Sequence, residues 1–426
     1  MNYNEAVEFL FSRRQKGMKL GLERMNRLLH LLGHPEKKFK SIHIAGTNGK
    51  GSTAAMIASV LQAGGYRTGL YTSPHLIDMR ERIKIQEKMI TESQVLDLIE
   101  MMKPHIDTTE ASFFEIMTAM AFLFFAEQKI DIAVVETGLG GRLDATNTLR
   151  PLMSVITEIG LDHTKILGKT LRPIAAEKAG IFKPGIPCVI GSNNPGVIAF
   201  FQEYAQKMKC PVHSVQKRVS IKKMHLKETG TTADLTVLQK KYSGLYLRLV
   251  GEHQLNNLKT VMLCIDLLEK QGWDISEEAV RKGLRQVKWP ARLELLQTRP
   301  KILLDSAHNP LGARRLAKSV KTIFHYRKLI LIFGVLADKD YRAMLKTLVP
   351  LADLLILTMP LSDRALHPKN LEHSPLLQGK NFLIEPDIEA AMHLALSRAA
   401  PDDMIVGAGS IYFVGELFRL WKPSKK

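Results

Sequence analysis

The chain has little cysteine. Cys188, Cys210 and Cys264 stand far apart with no C-x-x-C pair, which argues against a disulfide scaffold or a structural zinc module and fits a reducing compartment. It has no long apolar run, since stretches such as 329–337 are too short to span a bilayer. The opening MNYNEAVEFLFSRRQ has no secretory-signal order, because acidic residues interrupt its apolar part and no small-residue cleavage site follows. Internal repeats and low-complexity tracts are also absent. A soluble, cytoplasmic protein without a membrane partner is the expectation. Acidic residues are in deficit as well, 42 against 60 Lys and Arg, leaving a net charge of +18. What is present, 426 residues with 45% apolar and 24% charged side chains, is globular in composition and excludes wholesale disorder. The length allows about two to four domains.

Much of the positive excess sits in one place. Between residues 207 and 248, ten Lys and Arg face two acidic residues, Glu228 and Asp234. TTADLTVL and GLYLRLV alternate apolar and polar residues there, the period of half-buried strands. Solvated strand faces explain such charge without a ligand, and Tyr242 and Tyr246 are too few aromatics for a single-strand stacking platform. No nucleic-acid partner is expected; attraction to small polyanionic substrates accounts for the sign equally well.

Strand-like runs alternate with helix-like patterns almost throughout, the signature of parallel α/β sheets. Strands are expected at 41–45, 68–72, 131–136, 153–159 and 187–191, and, after a restart near Trp289-Pro290, at 301–305, 329–334, 354–358, 381–385 and 404–406. Helices are expected at 52–63, 113–127 and 253–271, with a domain boundary near residue 295.

IAGTNGKGST follows the first strand and opens a helix, the context a phosphate loop requires: backbone N–H groups hold phosphate oxygens, Lys50 reaches the terminal phosphates, and Ser52 or Thr53 supports Mg²⁺. The spacing departs from the common pattern, with Ile44 in place of its first glycine and Gly51 between Lys50 and Ser52. Glu136 ends an expected strand, and Ser73 and Asp162-His163 follow others. Ligands of an open parallel sheet bind outside the carboxyl ends of its strands, so these polar groups and the phosphate loop converge on a divalent-cation site. Taken singly, each also reads as a helix cap or a loop hydrogen bond.

GTNGKGS, TSPHL, VVETGLGGRLDATN, LDHTKILGKT, AAEKAGIFK, GEHQLNN, WPARLE, DSAHNP, GVLADKD and GSIYFVGE stand in this order from Gly46 to Glu416. Together they closely resemble the folylpolyglutamate synthase family of Mur-type amide ligases, above all its bacterial bifunctional dihydrofolate synthase/folylpolyglutamate synthases. The resemblance implies an α/β fold: a phosphate-loop, mostly parallel-sheet ATPase and pterin-binding domain over 1–295, and a smaller Rossmann-like glutamate ligase domain over 296–426. It implies ATP and two Mg²⁺ ions as cofactors, with Ser73, Glu136 and His163 as metal ligands. Asn48, Gly49, Lys50, Gly51 and Ser52 would hold the nucleotide, with Asn257, or Asn256 one register away, near its base, and Arg292 and Asp305 closing from the C-terminal side. Lys50, Lys178 and His308 take catalytic roles, Lys178 as a carbamate. Leu22 in LGLER, Phe114, Glu115, Leu143, Asp144 and Ala145 are the positions matching the pterin site. Without the family, Lys178 reads as an ordinary helix-surface lysine and Phe114 as a core aromatic.

The implied reaction adds L-glutamate to dihydropteroate and to the glutamyl tail of reduced folates through an acyl phosphate, in a monomer. A folylpolyglutamate synthase without the first activity is the nearest alternative. A nucleic-acid-stimulated NTPase leaves Glu136, His163 and Lys178 without a role, and a Mur-type cell-wall ligase is opposed by GGRLDATN and LGLER.

Overall fold

The computed structural model describes residues 1–15 and 21–421, and its strands form three sheets. The first contains β1 (Lys40–Ala45), β2 (Thr68–Tyr71), β3 (Ile83–Ile85), β4 (Lys88–Met89), β5 (Ile132–Glu136), β6 (Met153–Ile156), β7 (Cys188–Ile190) and β8 (Val212–Ser214), ordered β4-β3-β2-β5-β1-β6-β7-β8. It is parallel from β2 to β8, with β3 and β4 as an antiparallel edge. β5 and β6 are buried along their whole length, as central strands covered on both faces are. One face packs on helix Lys50–Ala63, which is covered in turn by helices Glu252–Lys270 and Glu277–Gln286. The other face packs on helix Phe113–Glu127. That helix forms where its all-round apolarity predicts, and Ser112 and Glu115 close its N-terminus in a reciprocal capping box.

β6 stops at Ile156, short of the expected 159, because the chain leaves the sheet to meet the phosphate loop: the Glu158 carbonyl accepts the Thr47 and Asn48 N–H groups. Of the stretch LGLER, residues 21–24 are described and are not a simple loop. Leu20 lies outside the described residues, and Glu23 and Arg24 open a helix, Glu23–Leu31, that the sequence patterns did not mark.

The basic stretch folds into an antiparallel sheet of β9 (Val219–Lys227), β10 (Gly230–Val237) and β11 (Lys240–Leu247). β10 alternates buried and half-buried residues, while Lys222, Lys223, Lys227 and Lys241 are exposed. The charge therefore lies on a solvated strand face.

The third sheet contains β12 (Glu294–Thr298), β13 (Lys301–Asp305), β14 (Leu329–Gly334), β15 (Leu354–Thr358), β16 (Phe382–Ile384) and β17 (Met404–Ala408), ordered β12-β13-β17-β14-β15-β16 and parallel except for β12. Apolar cores cover both its faces, and Leu76, from the loop after β2, packs against one of them. The two parallel sheets are thus joined by apolar contact beside the site. Among the described residues no helix is long and apolar enough to cross a membrane.

Candidate active site

β1 is flanked by β5 on one side and β6 on the other, and the phosphate loop leaves its carboxyl end at this switch in strand order. Gly49 takes a left-handed φ of 88°, and a Cβ there would collide with the Asn257 amide. Gly51, the departure from the usual spacing, has a packing reason: a Cβ would overlap the indole of Trp289. No side chain caps helix Lys50–Ala63, so its first turn is open to an anion. Asn257 Nδ2 donates to Gln254 Oε1 at 2.8 Å, and Gln254 Nε2 donates to Ser52 Oγ at 3.4 Å. Asn257 therefore faces the loop, whereas Asn256 does not line the cavity.

Glu136 ends β5 and is buried. Its Oε2 accepts the Ser73 N–H at 3.2 Å, and its Oε1 lies 3.6 Å from Lys50 Nζ. Burial pushes its pKa up, opposed by the Lys50 charge. His163 opens on the same cavity with its side chain 41% exposed, and partial desolvation lowers its pKa to about 4 against the raising effect of Asp162, leaving the neutral ring that a metal requires. Among the described residues no three His, Cys, Asp or Glu are arranged to hold a metal by themselves. A carboxylate and a hydroxyl nevertheless suit Mg²⁺, which takes few protein ligands and completes its shell with water and phosphate; the imidazole is an unusual ligand for so hard a cation.

Lys178 is not a surface lysine. It is 4% exposed in helix Leu171–Ala179, beneath the loop that follows β5. Gly141 lets that loop lie on the helix backbone, and Arg142 pins it by donating its N–H to the Glu177 carbonyl at 2.7 Å. The Lys178 amine lines the cavity, and burial, reinforced by Lys50, lowers its pKa to about 7. A lysine in that state is partly neutral amine at physiological pH and is nucleophilic.

At the far end, the Phe114 ring packs on Gly138, where a Cβ would strike it, and lies 6.2 Å from the Tyr71 ring. Phe114, Glu115, Leu143, Asp144 and Ala145 all line the cavity; Leu22 does not, though Gly21 does. The two carboxylates there are already engaged. Glu115 accepts from Ser112 N at 2.8 Å and pairs with Arg24 at 3.2 Å. Asp144 accepts the Leu139 N–H at 2.8 Å and the Thr146 N–H at 3.1 Å. In this structure they shape the pocket wall and do not project as free ligands.

Arg292 reaches the cavity between two left-handed residues, Ala291 and Leu293 (φ 55° and 49°). Asp305 holds this bend, accepting Leu293 N–H on one oxygen and Ala307 N–H on the other, each at 2.9 Å. Its carboxylate is thus spent on positioning Arg292. His308 Nδ1 faces the Ser306 carbonyl at 2.9 Å, and its Nε2 lies 3.4 Å from Asp162 Oδ2.

Asp162 is the residue that sequence reasoning underweighted. Lys339 Nζ donates to it at 2.8 Å and Asn309 Nδ2 at 3.1 Å, and Asn309 exchanges amide hydrogen bonds with Asn48 of the phosphate loop. Burial opposes ionisation of Asp162, but His308, Lys339 and His163 outweigh it and hold its pKa far below the usual carboxylate range. Lys339, Asn309, Asp162 and His253 lie inside motifs already singled out; Arg315, which also lines the cavity, does not.

These groups share one cavity of about 860 Å³ running from Phe114 past the phosphate loop to His308. The Mur ligase middle domain matches residues 44–265 and the Mur ligase glutamate ligase domain matches residues 291–411. The chain is 38% identical to the dihydrofolate synthase/folylpolyglutamate synthase of Bacillus subtilis, over 97% of this chain and 98% of that one. The chain belongs to the dihydrofolate synthase/folylpolyglutamate synthase family. The structure of Mycobacterium tuberculosis folylpolyglutamate synthase complexed with ADP and AMPPCP superposes with a TM-score of 0.92 at 32% identity, covering 100% of both chains. Escherichia coli FolC in complex with DHPP and ADP gives 0.89 at 27% identity, over 99% of this chain and 97% of that one. Like its family, the chain is an ATP-dependent ligase.

The ligase's two halves meet at Asp162, and this has a measurable consequence. Asp162→Asn leaves Lys339 and His308 without their anion and is expected to cost about 3 kcal/mol in urea unfolding at pH 7. The folded chain binds fewer protons at Asp162 than the unfolded chain does, so this contribution is complete above about pH 4 and falls away as pH drops towards the lower folded value. The stability gap between wild type and variant should therefore narrow on acidification. A gap that is absent, or constant with pH, would contradict the hub.

Proposed function

We propose that the enzyme adds L-glutamate both to dihydropteroate and to the glutamyl tail of reduced folates, as a cytoplasmic monomer acting without nucleic acid. The observation that carries this reading is the continuity of one cavity, with the phosphate loop at its middle, an aromatic end at Phe114 and a cationic, histidine-bearing end on the third sheet. The relative from Bacillus subtilis carries both activities in its name, and the Escherichia coli structure holds DHPP with ADP. In this reading residues 1–295 form the ATPase and pterin-binding domain and 296–426 the glutamate ligase domain, a division supported by sheet membership except that β12 begins at Glu294.

A free carboxylate is a poor acyl donor because its leaving group is oxide. Transfer of the ATP γ-phosphoryl group to the acceptor carboxylate gives an acyl phosphate and ADP. The glutamate α-amine then attacks the carbonyl carbon, the C–O bond breaks with its electrons leaving on phosphate, and the amine loses a proton. Lys50 and the first turn of helix Lys50–Ala63 neutralise charge on the transferred phosphoryl group, and Arg292, fixed by Asp305, adds a cation from the opposite wall. Asn257 closes the loop side of the nucleotide site, and His308, anchored by Asp162, faces the glutamate end. Ser73, Glu136 and His163 would hold Mg²⁺, which supplies further positive charge at the phosphates when bound. Lys178, buried and partly neutral, is competent to add CO₂ at its amine with loss of a proton, converting a cation into an anionic carbamate beside those ligands.

ATP turnover with dihydropteroate and with tetrahydrofolate, each with and without L-glutamate, tests the reading. Glutamate-dependent turnover on both is expected. Turnover on folate alone reduces the assignment to folylpolyglutamate synthase; turnover on neither, with activity on a muramyl substrate, makes it a cell-wall ligase.

A further inference from the structure

Behind the acceptor end of the cavity lies a buried relay that the mechanism does not use. His43 is fully buried in the middle of β1, between Val135 of β5 and Ser154 of β6. Its Nε2 lies 2.8 Å from Thr146 Oγ1, and Thr146 bonds through both its N–H and its hydroxyl to Asp144 Oδ1. A hydroxyl has a single proton to donate. Burial raises the Asp144 pKa, opposed by the Thr146 hydroxyl and the Leu139 and Thr146 N–H groups. With these donors aimed at both its oxygens, Asp144 takes that proton's hydrogen bond, Thr146 accepts from His43, and the imidazole proton sits on Nε2. The bare Nδ1 is buried without a partner among the described residues, the orientation that strands an acceptor and not a donor. Burial lowers the His43 pKa to about 3, so the ring stays neutral.

We propose that His43 is a positioning residue for acceptor binding. Through Thr146 and Asp144 it fixes loop 138–146, which brings Gly138 against the Phe114 ring and Leu143 to the cavity, in the shape that receives the pterin ring. The proposal rests on the ligase reading above. β1 carries the phosphate loop at its end, but the relay's hydrogen bonds run away from that loop, into the acceptor wall. Its loss should therefore fall on the acceptor and spare the nucleotide.

The test compares His43→Leu, which deletes the donor, with His43→Gln, whose amide N–H can take the place of Nε2. The readouts are kcat and KM for dihydropteroate, equilibrium binding of dihydropteroate and of AMPPCP, and melting temperature, all on the full chain. His43→Leu should weaken dihydropteroate by about tenfold in KM and in Kd, the scale of one buried hydrogen bond, with AMPPCP binding near that of the wild type. His43→Gln should recover most of the loss, and Thr146→Val should reproduce it without adding to His43→Leu. Should His43→Leu fail to fold, Thr146→Val against Thr146→Ser carries the same comparison. Unchanged dihydropteroate binding in the folded variants overturns the relay, as does a parallel loss of AMPPCP affinity or a Gln variant no better than Leu. A wild type that neither binds nor glutamylates dihydropteroate overturns the ligase reading itself.

Discussion

Lys178→Ala is expected to lower kcat by about 10²–10³-fold, the scale of removing one preorganised electrostatic group, while leaving the nucleotide site able to bind. Lys178 is buried against the loop after β5, and its pKa near 7 makes the amine available to CO₂ without a strong base. Near Glu136 and His163 an ammonium would repel Mg²⁺, whereas a carbamate would attract it. Lys178→Arg should be equally inactive, because a guanidinium stays cationic and cannot become that anion. Acetate should restore part of the alanine variant's activity. In the wild type, depletion of CO₂ should lower the rate, and bicarbonate should restore it more readily above pH 7 than below. An active Lys178→Arg enzyme would sink the carbamate and leave the ligase assignment standing.

Lys50→Ala should remove turnover by a comparable factor through a different route. The Lys50 amine sits 3.4 Å from the Thr47 carbonyl and 3.6 Å from Glu136, where the transferred phosphoryl group must pass. Removing it deletes charge stabilisation of that group and also leaves the buried Glu136 with a still higher pKa, so its carboxylate is a weaker metal ligand. No core volume is lost, so the melting temperature should stay within a few degrees. Near-normal glutamate-dependent turnover, measured as ADP release, would show that the phosphate loop is misassigned.

Local pattern alone was enough for much of this protein. Helix Phe113–Glu127 was legible because it is apolar on every side, and the parallel strands because each is a short apolar run before a glycine or a polar turn. The phosphate loop was legible from its glycines and their place between a strand and a helix. These are effects of near neighbours, and near neighbours are what a sequence displays. β9 and the first helix, Tyr3–Gln15, escaped because their charged residues blur the apolar period, whereas helix Glu23–Leu31 does keep a helical spacing at Met25, Leu28 and Leu29 that was passed over in so short a segment. The burial of Lys178 was hidden because the loop that covers it comes some 35 residues earlier, as the Arg142–Glu177 contact shows. Likewise, nothing in the spacing said that Asp144 and Asp305 spend their carboxylates on backbone N–H groups. The union of Asp162 with Asn309 and Lys339 spans 147 and 177 residues. The residue types able to do the chemistry were set locally. Which of them are charged, engaged or aimed at the cavity was decided by burial and by partners that only the folded chain brings within hydrogen-bonding reach.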